Sequence, residues 1–131
     1  MLVQTDTATA TRGRANSTAR TESVRAALLE RHGELQSEYA EALAELAVGG
    51  AVDSGDDIAD LGTKAFTREQ ELALVTSIRG RLDQVEHALA RLDQGSYGTC
   101  ESCAQDIPVA RLAAFPAVTQ CVGCKAADER R

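Results

Sequence analysis

Residues 97–125 hold the stretch that decides the fold. They begin Tyr97-Gly98-Thr99-Cys100-Glu101-Ser102-Cys103, continue for seventeen residues, and end Cys121-Val122-Gly123-Cys124-Lys125. All four cysteines of the 131-residue chain lie here. Two Cys-x-x-Cys pairs at this separation form a zinc-binding pattern. Each pair turns two thiolates toward one point, and two pairs close a tetrahedron with Zn–S distances near ~2.3 Å. Four protein ligands leave no open position for water. The reading is therefore one structural Zn2+ per chain, held by Cys100, Cys103, Cys121 and Cys124. Its binding energy becomes folding energy. A redox Cys-x-x-Cys needs a thioredoxin-like βαβ context, and the sequence shows no strand pattern. Ala104 follows Cys103 where such a knuckle usually carries Gly. If that position is left-handed, Ala costs about 1 kcal/mol.

Between the pairs, Pro108 suits the first turn of a small helix and Pro116 ends it, with Ile107, Leu112 and Phe115 as a small apolar cluster. Cys121 and Cys124 open a last short helix through Lys125 to Arg130. The dipole at its start favours their thiolates.

Upstream, two long helical patterns appear. Val24, Leu28, Leu35, Tyr39, Leu43 and Leu46 recur at spacings of three, four or seven, with His32 filling the gap. This predicts an amphipathic helix of about 26 residues. Gly33 weakens it by about 1 kcal/mol relative to Ala, and Gly49-Gly50 stops it. The second seam is Val75, Ile78, Leu82, Val85, Leu89 and Leu92, ending at Gly95. Asp57, Asp60 and Thr63 are alternative caps for its start. Neither helix hides its seam alone. Folding back as an antiparallel coiled-coil hairpin solves this; a dimeric bundle is the alternative. A 26-residue arm spans about 39 Å. The expected fold is all-α, a long antiparallel coiled-coil hairpin plus a small C4 zinc-finger base with short helices. The expected domains are a disordered tail (1–20), the hairpin (21–95, with an acidic tip at 51–62), and the finger with its C-terminal helix (96–131).

Composition narrows the function. The net charge is −6, only four residues are aromatic (Tyr39, Phe66, Tyr97 and Phe115), and there is no Trp. Within 97–131, Arg111, Lys125, Arg130 and Arg131 face Glu101, Asp106, Asp128 and Glu129. An even balance is no basic footprint for DNA. No apolar run approaches the ~18 residues of a membrane span. The stretch from Met1 to Arg14 lacks the apolar core of a secretory signal. A reducing cytoplasm, where paired cysteines bind metal, is the expected setting. No catalytic triad, phosphate loop or nucleotide fingerprint is present, so the chain does not read as an enzyme. His32 and His87 read as packing or surface residues. Asp53, Asp56, Asp57 and Asp60 crowd the turn. Aspartates suit turns and helix starts; they are also hard oxygen donors able to approach a bound Mg²⁺.

Taken together, Asp57-Ile58-Ala59-Asp60 at the turn, Tyr97 to Cys103, then Ile107, Arg111-Leu112, Ala114, Pro116 and Cys121 to Lys125 strongly resemble the DksA/TraR family of C4 zinc-finger transcription factors. The match covers about residues 50–130 by motif and the first helix by pattern. The resemblance implies a monomer that binds RNA polymerase and not DNA. It inserts its coiled-coil tip into the secondary channel, with Asp57 and Asp60 reaching toward the active centre, and so modulates transcription initiation. It also implies Lys125 and Arg111 as nucleotide or polymerase contacts. Two positions depart from the family pattern. Gly62 stands where the tip usually carries Ala, which weakens tip action. The family's basic ppGpp-contacting positions fall near Ser77 and Gln84, neither cationic, so poor ppGpp binding is expected. The competing readings are a Gre-like transcript-cleavage factor and a zinc-finger DNA- or protein-binding adaptor.

Overall fold

The computed structural model describes the backbone of residues 6–49, 55 and 57–131, and within these the side chains from residue 19 onward. Four helices follow in order: α1 (Asp6–Val48), α2 (Ile58–Gln94), α3 (Val109–Ala114) and α4 (Val122–Glu129). No strand occurs among the described residues; an isolated antiparallel bridge joins Thr99 and Asp106. No helix among them is long and apolar enough to cross a membrane. The chain divides into two compact units. Arg31–Glu86 forms one; the chain up to Glu30 and His87–Arg131 form the other.

In the Arg31–Glu86 unit, α1 and α2 run antiparallel. His32 Nε2 lies 3.0 Å from Glu86 Oε1, while near the other end of the pair Arg68 Nη1 donates to the carbonyl of Leu46. Leu35, Ala42, Ile78, Leu82 and Val85 are the buried seam. The expected stripe is shifted at one step. Ala42 is 6% exposed and Leu43 is 40% exposed. Leu28, Leu35 and Ala42 stand seven apart, the coiled-coil repeat, so the small residue takes the inward seat. The chain stops α1 at Val48, where Gly49 N–H still reaches the Glu45 carbonyl at 3.1 Å. Among the three candidate caps of α2, Asp57 holds the position. Its Oδ1 accepts from Asp60 N–H at 2.8 Å and its carbonyl from Leu61 N–H at 3.0 Å. Thr63 and Thr67 instead lie inside the helix, their hydroxyls bonded to the carbonyls four residues back. Asp53 and Asp56 lie outside the described residues.

In the other unit, Leu28, Ala88, Leu92, Cys100, Ile107 and Thr119 are buried. Arg25 Nη1 meets Asp93 Oδ1 at 2.5 Å across α1 and α2. α2 ends on Gly95 at φ +78°, with Ser96 N–H bonded to the Arg91 carbonyl at 2.9 Å and Gly95 N–H to that of Leu92 at 3.3 Å. This is the paired closure that a left-handed glycine makes possible. Two expectations change. Helix α1 begins at Asp6, whereas residues 1–20 were expected to be disordered. Extending a helix already nucleated requires little of each further residue, and Ala8, Ala10, Arg12, Arg14 and Ala15 are strong helix formers. Residues 1–5 lie outside the described residues. Phe115, expected in the small apolar cluster, is 64% exposed. It caps the C-terminus of α3, its N–H reaching back to the Arg111 carbonyl, and at that position the side chain leaves the cluster. Ile107 keeps its place, at 3% exposed.

Candidate metal centre and acidic turn

The first knuckle is a tight backbone turn. Cys100 N–H donates to the Gln105 carbonyl at 2.7 Å, and Ala104 N–H donates to the Cys100 carbonyl at 2.9 Å. Closing that turn puts Ala104 at φ +60°, the one non-glycine residue in left-handed conformation among those described. The residue after Cys103 does therefore need a left-handed backbone, and Ala carries the strain. Gly98, at φ +89°, turns the chain into the knuckle. Arg91 holds the same segment from α2, its Nη2 donating to the carbonyls of Ser96 at 3.0 Å and Thr99 at 2.6 Å.

The second knuckle is a helix start. Cys121 is the N-cap of α4, and its sulfur accepts from Cys124 N–H at 3.4 Å. The two knuckles bring all four Sγ atoms within 4.8 Å of one another, with Cys103 and Cys121 at 3.9 Å. A tetrahedron with Zn–S of ~2.3 Å has an S–S edge of about 3.8 Å, so the spacing fits. The electrostatics point the same way. Backbone N–H groups of Cys121 and Cys103 aimed at the Cys100 sulfur pull its pKa down to about 6. Crowding by the Cys121, Cys100 and Cys103 sulfurs pushes Cys124 up to about 12. Four thiolates at this range repel one another; a divalent cation at their centre removes the conflict. The residues fit one structural zinc with no vacant ligand position.

A carboxylate network surrounds this centre, and sequence reasoning missed it. Glu101 N–H donates to the Thr119 carbonyl at 2.9 Å, Thr119 Oγ1 donates to Glu101 Oε1 at 3.1 Å, and His87 Nε2 lies 2.5 Å from Glu101 Oε2. The His87 bond holds the Glu101 carboxyl below its ordinary value against burial, and Thr119 assists. One side chain thus joins α2, the first knuckle and the approach to the second. The partners lie 14 and 18 residues from Glu101, so no local spacing announced them. Tyr97 adds a further tie, its Oη donating to the Pro116 carbonyl at 2.7 Å.

Of the other expected site residues, Arg111 sits on α3 and its Nε donates to the Gln120 carbonyl at 3.2 Å. Lys125, on α4, is exposed and 3.8 Å from Glu129 Oε1. Asp57 and Asp60 lie together at the start of α2, both exposed. They belong to the Arg31–Glu86 unit, and the four cysteines belong to the other.

Residues 95–130 match the prokaryotic dksA/traR C4-type zinc finger. The RNA polymerase-binding transcription factor DksA of Caulobacter vibrioides is 36% identical over 75 residues, covering 57% of this chain and 53% of that protein. General stress protein 16O of Bacillus subtilis is 34% identical over 91 residues, covering 68% and 56%. The chain spans about half the length, or less, of the curated relatives it matches. Among solved structures, transcription factor DksA2 from Pseudomonas aeruginosa superposes with a TM-score of 0.70 at 31% identity, over 86% of this chain and 85% of that one. That likeness reaches well beyond the finger and takes in the paired helices. With the four-sulfur centre, it makes this chain a member of the DksA/TraR family.

Proposed function

We propose that this protein is an RNA polymerase-binding regulator of transcription initiation, and that it acts by inserting the turn between α1 and α2 into the secondary channel of the polymerase. The observation that carries the reading is the 31% identity and shared fold with transcription factor DksA2 across 86% of the chain. The Caulobacter relative, an RNA polymerase-binding transcription factor, suggests the partner. In this reading Asp57 and Asp60 bring two exposed carboxylates toward the catalytic centre, where Mg²⁺ is a natural target for hard oxygen donors. The zinc is structural, and the protein itself catalyses nothing. It works as a cytoplasmic monomer and does not read DNA sequence.

Lys125 offers an exposed cation to the polymerase or to a nucleotide, and Arg111 offers the guanidinium N–H groups that do not bond Gln120. Ser77 and Gln84 bring no positive charge to α2. A polyphosphate such as ppGpp therefore binds weakly.

Asp57→Asn with Asp60→Asn tests the mechanism. Asn caps a helix about as well as Asp, so the start of α2 is preserved. The double variant should bind core polymerase as the parent does and lose its effect on promoter complexes. Normal regulation by the variant would contradict the mechanism. Strong cleavage of backtracked transcripts by the parent protein would replace it with the Gre-like reading.

A further inference from the structure

The segment that leads into Cys121 is fastened to the segment between Cys100 and Cys103 by bonds in which no sulfur takes part. Glu101 N–H donates to the Thr119 carbonyl at 2.9 Å, and Thr119 Oγ1 returns a bond to Glu101 Oε1 at 3.1 Å. One residue on, Gln120 Nε2 donates to Ser102 Oγ at 2.9 Å and to Asp128 Oδ2 on α4 at 2.6 Å. A side-chain amide carries two N–H groups, and here each has an acceptor. The Gln120 carbonyl accepts from Arg111 Nε on α3 at 3.2 Å. Two consecutive residues before the second knuckle thus pair with two consecutive residues inside the first. Thr119 is 4% exposed, so water competes little for its bonds.

We infer that Glu101, Ser102, Thr119 and Gln120 form a clasp that holds the two knuckles in register and sets how fast the centre loses its zinc. They are positioning residues, not ligands. Seventeen residues separate Cys103 from Cys121. Left open, a loop of that length lets the second pair drift once a Zn–S bond breaks, and closing it again costs entropy. The clasp closes the loop at the residues next to Cys100, Cys103 and Cys121. A thiolate that leaves the metal therefore stays at high effective concentration and is recaptured before the knuckles part. The sulfur sites differ in access: Cys100 is 1% exposed, whereas Cys103 is open to solvent. An attacking chelator meets the centre at Cys103, beside the clasp bond at Ser102. His87 anchors the clasp to α2, its Nε2 lying 2.5 Å from the second Glu101 oxygen.

The test follows zinc transfer from the full, zinc-loaded chain to a chromophoric chelator, with Co²⁺ substitution as the check on the ligand set. Thr119→Val keeps the side chain's shape and removes the hydroxyl. Gln120→Ala removes both amide N–H groups at a position that is only partly buried. Each should release zinc about tenfold faster than the parent, the scale for losing partners behind a metal's ligands. Thr119→Ser keeps the hydroxyl and should bring the rate back to within about twofold of the parent's. The Co²⁺ absorption of all three should remain that of four thiolates in a tetrahedron. Ile107→Val trims a residue that is 3% exposed and takes no side-chain part in these bonds. It should lower the thermal midpoint and leave zinc release near the parent's rate. Parent-like release from Thr119→Val or from Gln120→Ala would overturn the clasp. Release from Ile107→Val as fast as from those variants would overturn it too, because zinc loss would then follow overall stability. So would fast release from Thr119→Ser, or loss of the tetrahedral Co²⁺ spectrum in any variant. Should Thr119→Val fail to fold, Gln120→Ala decides alone.

Discussion

At its start, α2 stands on Asp57, whose carboxylate caps the helix at 2.8 Å, and the side chains around it face solvent: Ile58, Phe66 and both aspartates. At its finish, Gly95 closes the helix, Arg91 secures two carbonyls of the next turn, and Cys100 and Ile107 nearby are buried. The two ends are stabilised by different physics. The start relies on one local side-chain bond and buries little. The finish relies on long-range bonds and on four sulfurs that need a cation between them. Residues at the start can therefore change with small effect on folding and serve a partner. Residues at the finish serve the fold first.

Removing the metal should separate the two most sharply. Structural zinc sites supply ~10–16 kcal/mol in small zinc peptides, far more than any single contact at the start of α2. A strong chelator should abolish amide protection across residues 96–131 and leave protected amides in the seam around Leu35, Ala42 and Leu82. Full protection of 96–131 without metal would break the contrast. A smaller effect divides the Arg31–Glu86 unit itself. Leu82→Ala, at a seat 2% exposed, should lower stability by about 2–5 kcal/mol, and Ile58→Ala, at a seat 89% exposed, by about 0.5 kcal/mol or less. Equal losses in denaturant titrations would contradict the contrast between the buried seam and the start of α2.

The smallest effects are gains, one in each region. Ala104→Gly relieves a left-handed alanine and should add up to about 1 kcal/mol, partly offset by the greater freedom of glycine in the unfolded chain. Gly62→Ala, at a helical position with nothing within 4 Å of a new Cβ, should add about 1 kcal/mol. Thermal midpoints of the two variants check both, and the first should also slow zinc loss.

These sites differ in how far the sequence announced them. The four-cysteine centre was legible because its spacing is a geometric requirement, and the strain at Ala104 was legible because a knuckle of this length turns left-handed after its second cysteine. The paired helices followed from their seams, and Gly95 from the chemistry of helix ends. Ala42 and Ala88 were passed over because a stripe read by hydrophobicity favours large residues, whereas an inward seat next to a close partner helix favours small ones. Counting sevens from Leu28 would have found Ala42. The network of Glu101, His87 and Thr119 could not be read, since its partners meet only after folding. Asp57 as the cap was one of three options until the backbone chose. The helical conformation of residues 6–20 was missed because polar, Thr-rich composition speaks against burial, not against helix extension.

The most direct test of the account is capture of core RNA polymerase by the zinc-loaded protein, with and without a ligand that occupies the secondary channel. The account predicts capture in the absence of the blocker and its loss when the channel is filled. Capture that persists undiminished with the channel blocked would contradict it.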